Sequence, residues 1–316
     1  MSRLFMFPGQ GSQYIGMGKD IYEAYPEARE VFELAKKVTG IDVASMCFEE
    51  NEKINITEYT QICMLCVEAA ILEVLKNKGI SYDYTAGLSL GEYGALIASN
   101  AMSVEDAFKV VRQRGIFMQN AVPAGGAMSA IIGLEAPVIE DICSKVMADA
   151  PEGTDENNLA FTVSVANYNN PKQSVITGRK DAVEKAAKEC IDAGALKAVE
   201  LNVSGPFHSS LLIGAGEKLR GVLDEVKFND IKVKYIANVT ADYVENTDDI
   251  KELLVKQVSS SVKWNQTLER FIADGVDEFV EIGPGHSLTG FVKKIDRSLK
   301  TVNIDTLEDL NKYLEQ

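Results

Sequence analysis

Residues 82–100 read YDYTAGLSLGEYGALIASN. A short run, YDYTAG (82–87), reads as a strand, and LGEYGALIASN (90–100) reads as the helix after it. Between them Ser89 sits in the pattern Gly87-Leu88-Ser89-Leu90-Gly91. G-x-S-x-G alone carries little, since it arises by chance in roughly one chain in ten of this length. Its place between strand and helix carries more, because a nucleophile elbow requires a sharp strand-to-helix turn with small neighbours. The helix start favours negative charge beside the serine, and the Leu90 amide is placed to donate to an oxyanion. The alternative is a glycine-rich junction without chemistry.

Working outward, RLFMFPG near the start reads as a buried strand ending in a glycine loop. Helices are expected over 22–37, 58–78 and 103–121, the last with Ser103 and Asp106 as an S-x-x-D cap. Strands separated by helices predict a parallel sheet covered on both faces. From 125 to 203 the rhythm becomes β-α-β-β-α-β, the ferredoxin-like pattern. A polar loop, PEGTDENN, and a turn at NNPK interrupt it. After 203 the first texture resumes, with KVKYIANVT and DEFVEIGPG as strands and a last helix. The expected fold class is therefore α/β: a large domain from 1–124 and 204–316, with a small ferredoxin-like domain, 125–203, inserted into it.

Composition narrows the function classes. The chain has 316 residues, 46% hydrophobic and 25% charged, as in a soluble globular protein. A net charge of −15 argues against non-specific nucleic-acid binding. No apolar run is long enough to span a bilayer, and the N-terminus lacks a signal-peptide core, so the cytoplasm is expected. Five cysteines, an odd number, fit reduced thiols better than a disulfide framework. Cys63 and Cys66 form C-x-x-C within a helical stretch, with no second pair or histidine cluster, so no metal site is expected.

A serine nucleophile needs a base, and the chain has two histidines. His208 lies in NVSGPFHSSLL and His286 in EIGPGHSLTGF, each beyond a strand, where α/β enzymes carry functional loops. Position alone leaves both open. The loop GQGSQYIGMG fits neither nucleotide motif: Tyr14 stands where a dinucleotide fingerprint needs glycine, and Met17 where a P-loop needs lysine. What remains is an exposed backbone loop, a source for the second oxyanion donor. On the helix 103–121, Arg114 lies on the apolar stripe of Ala107, Val110, Val111, Phe117 and Met118, whereas Arg112 points elsewhere. A guanidinium there needs an anion, either an internal partner such as Glu92 or a ligand.

Six segments, FPGQGSQ, GLSLGEYGAL, RQRGIFMQ, ANYNNPKQSVITG, GPFHSS and EIGPGHSLTG, resemble the successive motifs of malonyl-CoA:acyl-carrier-protein transacylases, in order, from residue 5 to about 292. The resemblance implies an α/β-hydrolase-like large domain with an inserted ferredoxin-like domain. It makes Ser89 the acyl acceptor, His208 its base, and the amides of Gln10 and Leu90 the oxyanion hole. It makes Arg114 the clamp on the malonyl carboxylate and the Gln257 carbonyl the group orienting His208. Asn167 or Asn169 would line the site, and Phe207 would crowd an α-methyl branch. His286 becomes dispensable. Leu88 departs from the family, which usually has histidine there. The implied reaction passes malonyl from malonyl-CoA to the phosphopantetheine thiol of acyl carrier protein through a malonyl-serine ester, with no cofactor. The chain is expected to act as a monomer, with carrier protein as its macromolecular partner. A hydrolase of the same fold and a non-catalytic docking module are the competing readings. Docking an acidic carrier needs a local basic patch; FVKKIDRSLK, with Lys293, Lys294, Arg297 and Lys300, is the densest candidate, the alternative being a solvated helix face, and Lys180 and Lys197 are rivals.

Overall fold

The computed structural model describes residues 2–315. Its large sheet has five parallel strands: β1 (Arg3–Phe7), β2 (Tyr84–Gly87), β7 (Lys234–Tyr235), β8 (Glu278–Ile282) and β9 (Lys300–Ile304), in the order β7-β2-β1-β8-β9. The order makes β1 central, which explains why RLFMF is a continuous apolar run. Alternate side chains of β1 enter different cores: Phe5 and Phe7 join one cluster, Leu4 and Met6 the other. The register pairs Phe7 with Gly87 and Met6 with Glu281. Parallel strands in that register bring the loops after β1, β2 and β8 to one edge, the carboxyl edge where α/β folds place their sites.

Helix Thr57–Asn77 lies against the Phe5/Phe7 side and is buried all round between residues 60 and 72. Such a helix belongs inside a large core. Cys63 and Cys66 are part of that packing, and all five cysteines are buried and unpaired.

The second sheet is antiparallel, with β3 (Gly126–Ile132), β4 (Val163–Asn170), β5 (Gln173–Arg179) and β6 (Lys197–Glu200) in the order β4-β5-β3-β6. Helices Ala136–Ala148 and Lys180–Asp192 cover one face with their own apolar cluster. This is the expected β-α-β-β-α-β unit, and the molecule has the two-domain α/β fold read from its motifs. β4 bridges Asn167 to Val262, a residue outside both sheets that lies between the helices Ile250–Gln257 and Trp264–Ala273, and the Tyr168 N–H donates to the Val262 carbonyl at 2.9 Å.

Two expectations need correction. The 22–37 helix is two helices, Lys19–Ala24 and Pro26–Thr39, broken before Pro26 because a residue preceding proline is driven out of the helical region. The strand in KVKYIANVT is only two residues long, since Ile236 onward bends into a turn that closes on Tyr243. The basic stretch FVKKIDRSLK is divided between a helix and a strand. The helix Ser287–Ile295 stops before Asp296, whose side chain accepts from the Ser298 N–H and hydroxyl, and Lys300 opens the edge strand β9.

Candidate active site

Ser89 follows β2 with φ +55°, a left-handed conformation that non-glycine residues hold at a cost of order 1–3 kcal/mol. The flanking glycines allow the turn: a Cβ on Gly87 would stand 1.9 Å from the Gly91 carbonyl oxygen, and one on Gly91 would stand 2.0 Å from that of Phe7. The helix Gly91–Ala98 starts directly after, with Leu90 at its N-cap. Among the described residues, the N–H groups of Leu90 and Gln10 have no hydrogen-bond partner within the chain. Both residues line one cleft of about 620 Å³ with Ser89.

Of the two histidines, the structure brings His208 to the serine. Its Nε2 lies 2.7 Å from Ser89 Oγ, and its Nδ1 lies 2.8 Å from the backbone carbonyl of Gln257. That carbonyl can only accept, so Nδ1 carries a proton and Nε2 is left to receive the one on the serine. Burial and then the nearby Arg114 charge push the His208 pKa down to about 4, so the ring is neutral at pH 7. His208 also has positive φ, +61°. His286 is exposed and does not line the cleft.

Arg114 is buried and reaches the cleft floor from the helix Val104–Ala121, whose Ser103 cap is formed as read. One terminal nitrogen donates to Gln61 Oε1 at 2.8 Å; the other donates to Gln257 Oε1 at 2.9 Å and to Ser89 Oγ at 3.1 Å. Its Nε has no partner. Tyr93 lies under the guanidinium, 5.6 Å from ring centroid to Cζ. Among the described residues, no carboxylate pairs with it. Glu92, the internal partner considered from the sequence, binds the Gln257 side chain instead, accepting from Nε2 at 2.6 Å. Arg112 turns outward to Glu58.

Phe207 is buried beside His208 in the cleft wall, with Met118, Met128, Val175 and Leu201. Asn167 and Asn169 enter from β4, and the buried Oδ1 of Asn169 has no partner. Leu88 lines the mouth and packs on the loop after β1, where a Cβ on Gly9 would meet its Cδ2 at 2.9 Å. Sequence reading missed three participants: Gln61, Asn238 and the side chain of Gln257. Gln61 was legible only as one of the polar residues on a helix buried all round at that level. Among the described residues, no cluster of His, Cys, Asp or Glu is suited to holding a metal ion, and no helix is long and apolar enough to cross a membrane.

The chain belongs to the acyl transferase family: the family model described as "Acyl transferase domain" matches residues 4–308. Its relatives include the malonyl CoA-acyl carrier protein transacylase of Bacillus subtilis, 45% identical over 313 residues, covering 98% of this chain and 96% of the relative. Among solved structures, the malonyl CoA-acyl carrier protein transacylase from Clostridium perfringens is 39% identical with a TM-score of 0.92, over 100% of this chain and 96% of the other. A malonyl-transacylase solved in complex with its type II PKS acyl-carrier protein is 36% identical with a TM-score of 0.93, over 100% and 99%. Within the acyl transferases, the chain groups with these malonyl CoA-acyl carrier protein transacylases.

Proposed function

We propose that this protein transfers a malonyl group from malonyl-CoA to the phosphopantetheine thiol of acyl carrier protein, by way of a malonyl ester on Ser89. The observation that carries the reading is the meeting of three groups: Ser89 Oγ lies 2.7 Å from His208 Nε2 and 3.1 Å from the Arg114 guanidinium. A nucleophile, its base and a cation suited to a carboxylate thus surround one point.

Ser89 Oγ attacks the thioester carbonyl as His208 Nε2 takes its proton. The tetrahedral oxyanion accepts from the N–H groups of Gln10 and Leu90. The C–S bond breaks, and the imidazolium returns the proton to the departing CoA sulfur. In the second half the carrier thiol gives its proton to His208, its sulfur attacks the ester, and Ser89 leaves with that proton. The Gln257 carbonyl orients the ring throughout. Arg114 exchanges its contacts to Gln257 and Ser89 for the malonyl carboxylate, which its planar fork binds at two points. Phe207 limits room beside the α-carbon, and Asn169 offers a carboxamide to the substrate chain. The steps balance without a metal or redox group.

The reading extends to organisation. Residues 125–203 form the inserted domain and 1–124 with 204–316 the large one. In this reading the chain works as a monomer in the cytoplasm.

Mass spectrometry after incubation with malonyl-CoA tests the assignment. A malonyl adduct on Ser89, absent from Ser89→Ala, is expected, and it passes to carrier protein faster than to water. An adduct on a cysteine, or free malonate as the product with carrier present, would overturn it.

A further inference from the structure

We propose that Asn238 is a positioning residue for the nucleophile, acting as a two-point clamp on the strained turn; the proposal rests on the reading of Ser89 given above. Asn238 follows the short strand β7 and is 1% exposed. Its Oδ1 accepts from the Ser89 N–H at 2.6 Å, and its Nδ2 donates to the Gly87 carbonyl at 2.7 Å. The two bonds bracket Leu88, so one planar carboxamide fixes the peptide groups on both sides of it. With Ser89 in the left-handed region, those peptide planes set the direction of the Oγ and of the following Leu90 N–H. Nucleophile and oxyanion donor are thereby oriented together.

The clamp is itself held. The Asn238 N–H donates to Glu92 Oε2 at 3.3 Å, and its carbonyl accepts from the Lys263 N–H at 3.0 Å. The Gln257 Nε2, which donates to Glu92 Oε2 and to the Ser89 carbonyl, passes 3.4 Å from Asn238 Oδ1. The turn therefore has carboxamides on two sides, one from beyond β7 and one from the residue that orients His208. An aliphatic side chain at 238 would leave a buried N–H and a buried carbonyl unmatched at the one place where the backbone is strained.

Rapid-quench acylation by malonyl-CoA, in the absence of carrier, separates maximal rate from half-saturation. Asn238→Ala is expected to lower the maximal rate of Ser89 acylation by on the order of 10- to 100-fold, the penalty for a displaced reacting group. Half-saturation should stay within about 3-fold, because Arg114 does not touch Asn238. Asn238→Asp keeps the acceptor for the Ser89 N–H and regains the donor to the Gly87 carbonyl only when protonated. Its rate relative to wild type should thus rise as pH is lowered; Glu92, Arg114 and His208 are the charged and titratable groups nearby, and a carboxylate at 238 coupled to Glu92 through this network moves the ratio in the same sense as it is protonated. If Asn238→Ala does not fold, that ratio decides. A wild-type rate in Asn238→Ala, or a pH-independent ratio in Asn238→Asp, would overturn the clamp. Failure of wild type to acylate Ser89 at all would instead overturn the functional reading beneath it.

Discussion

Replacing Arg114 with alanine separates a substrate clamp from a structural brace. The malonyl carboxylate would meet a guanidinium that is 1% exposed, and truncating one partner of a buried charge pair costs about 2–5 kcal/mol. A second loss is common to all substrates. Arg114 donates to Gln61 Oε1 and Gln257 Oε1, and both acceptors are stranded by the change. The Gln257 carbonyl also accepts from His208 Nδ1 at 2.8 Å, so under the proposed mechanism acetyl transfer should fall too, by roughly the 1–2 kcal/mol of a disturbed hydrogen bond. The common loss cancels in the ratio. kcat/KM for malonyl-CoA over acetyl-CoA should therefore drop by about 30-fold or more. Arg114 is also the second cause, after burial, of the low His208 pKa. Its removal should move the acid limb of kcat/KM for acetyl-CoA upward from about 4, since an imidazolium no longer faces a cation. The assay is kcat/KM for both thioesters on wild type and Arg114→Ala across pH, with melting curves. Equal losses for both substrates with a lower melting temperature and an unmoved acid limb would refute the clamp.

Two further outcomes are expected. Glu68 is buried with neither carboxyl oxygen hydrogen-bonded, and burial, then Glu281, holds its pKa well above the ordinary range. The folded protein keeps it neutral while the unfolded chain ionises, so its contribution to stability is present below the ordinary carboxyl pKa and is lost as pH rises. Glu68→Met should raise the melting temperature at pH 8 more than at pH 5, by an effect of about 1–3 kcal/mol, and equal shifts at both would reject this. At the basic patch, Lys293 caps the Arg297 and Leu299 carbonyls and Lys300 pairs with Glu278 at 2.6 Å, which leaves Lys294 and Arg297 exposed. Lys294 lies one helical turn beyond Phe291, which lines the cleft. Lys294→Glu with Arg297→Glu should raise KM for carrier protein several-fold at low salt and less at high salt, with KM for malonyl-CoA unmoved; an unchanged carrier KM would exclude the patch.

What was legible in the sequence follows how local each constraint is. The elbow could be read because its geometry admits only glycine at 87 and 91, so the constraint is written into the motif itself. Arg114 could be flagged because a charge on an apolar stripe contradicts its surroundings. The choice between His208 and His286 could not be read from position, since both follow strands, and it needed the three-dimensional contact. Asn238 was hidden because KVKYIANVT looks like one strand, and nothing local says that its asparagine turns toward a serine 149 residues earlier. The FVKKIDRSLK stretch is a related case. A short helix and a short strand share one basic composition, and the side chains of Lys293 and Lys300 are engaged with the fold around them.

The fate of the Arg114–Glu92 pair, the internal alternative weighed from the sequence, ties these residues together. Both are buried in one network, yet the carboxamide of Gln257 lies between them, accepting from Arg114 with Oε1 and donating to Glu92 with Nε2. A direct ion pair would match the guanidinium with an internal carboxylate, and an incoming malonyl group would have to displace a buried anion to bind. With the amide interposed, Arg114 is held by neutral acceptors, which a carboxylate outcompetes because a charged acceptor makes the stronger hydrogen bond. Burial raises the Glu92 pKa to about 7, against the opposing hydrogen bonds from Gln257 and Asn238 and the charge of Arg114, so near neutrality the carboxyl is only partly ionised. Gln257 thus joins three tasks in one residue. Its carbonyl sets the His208 tautomer, its oxygen presents the cation, and its amide nitrogen keeps the buried acid from neutralising that cation.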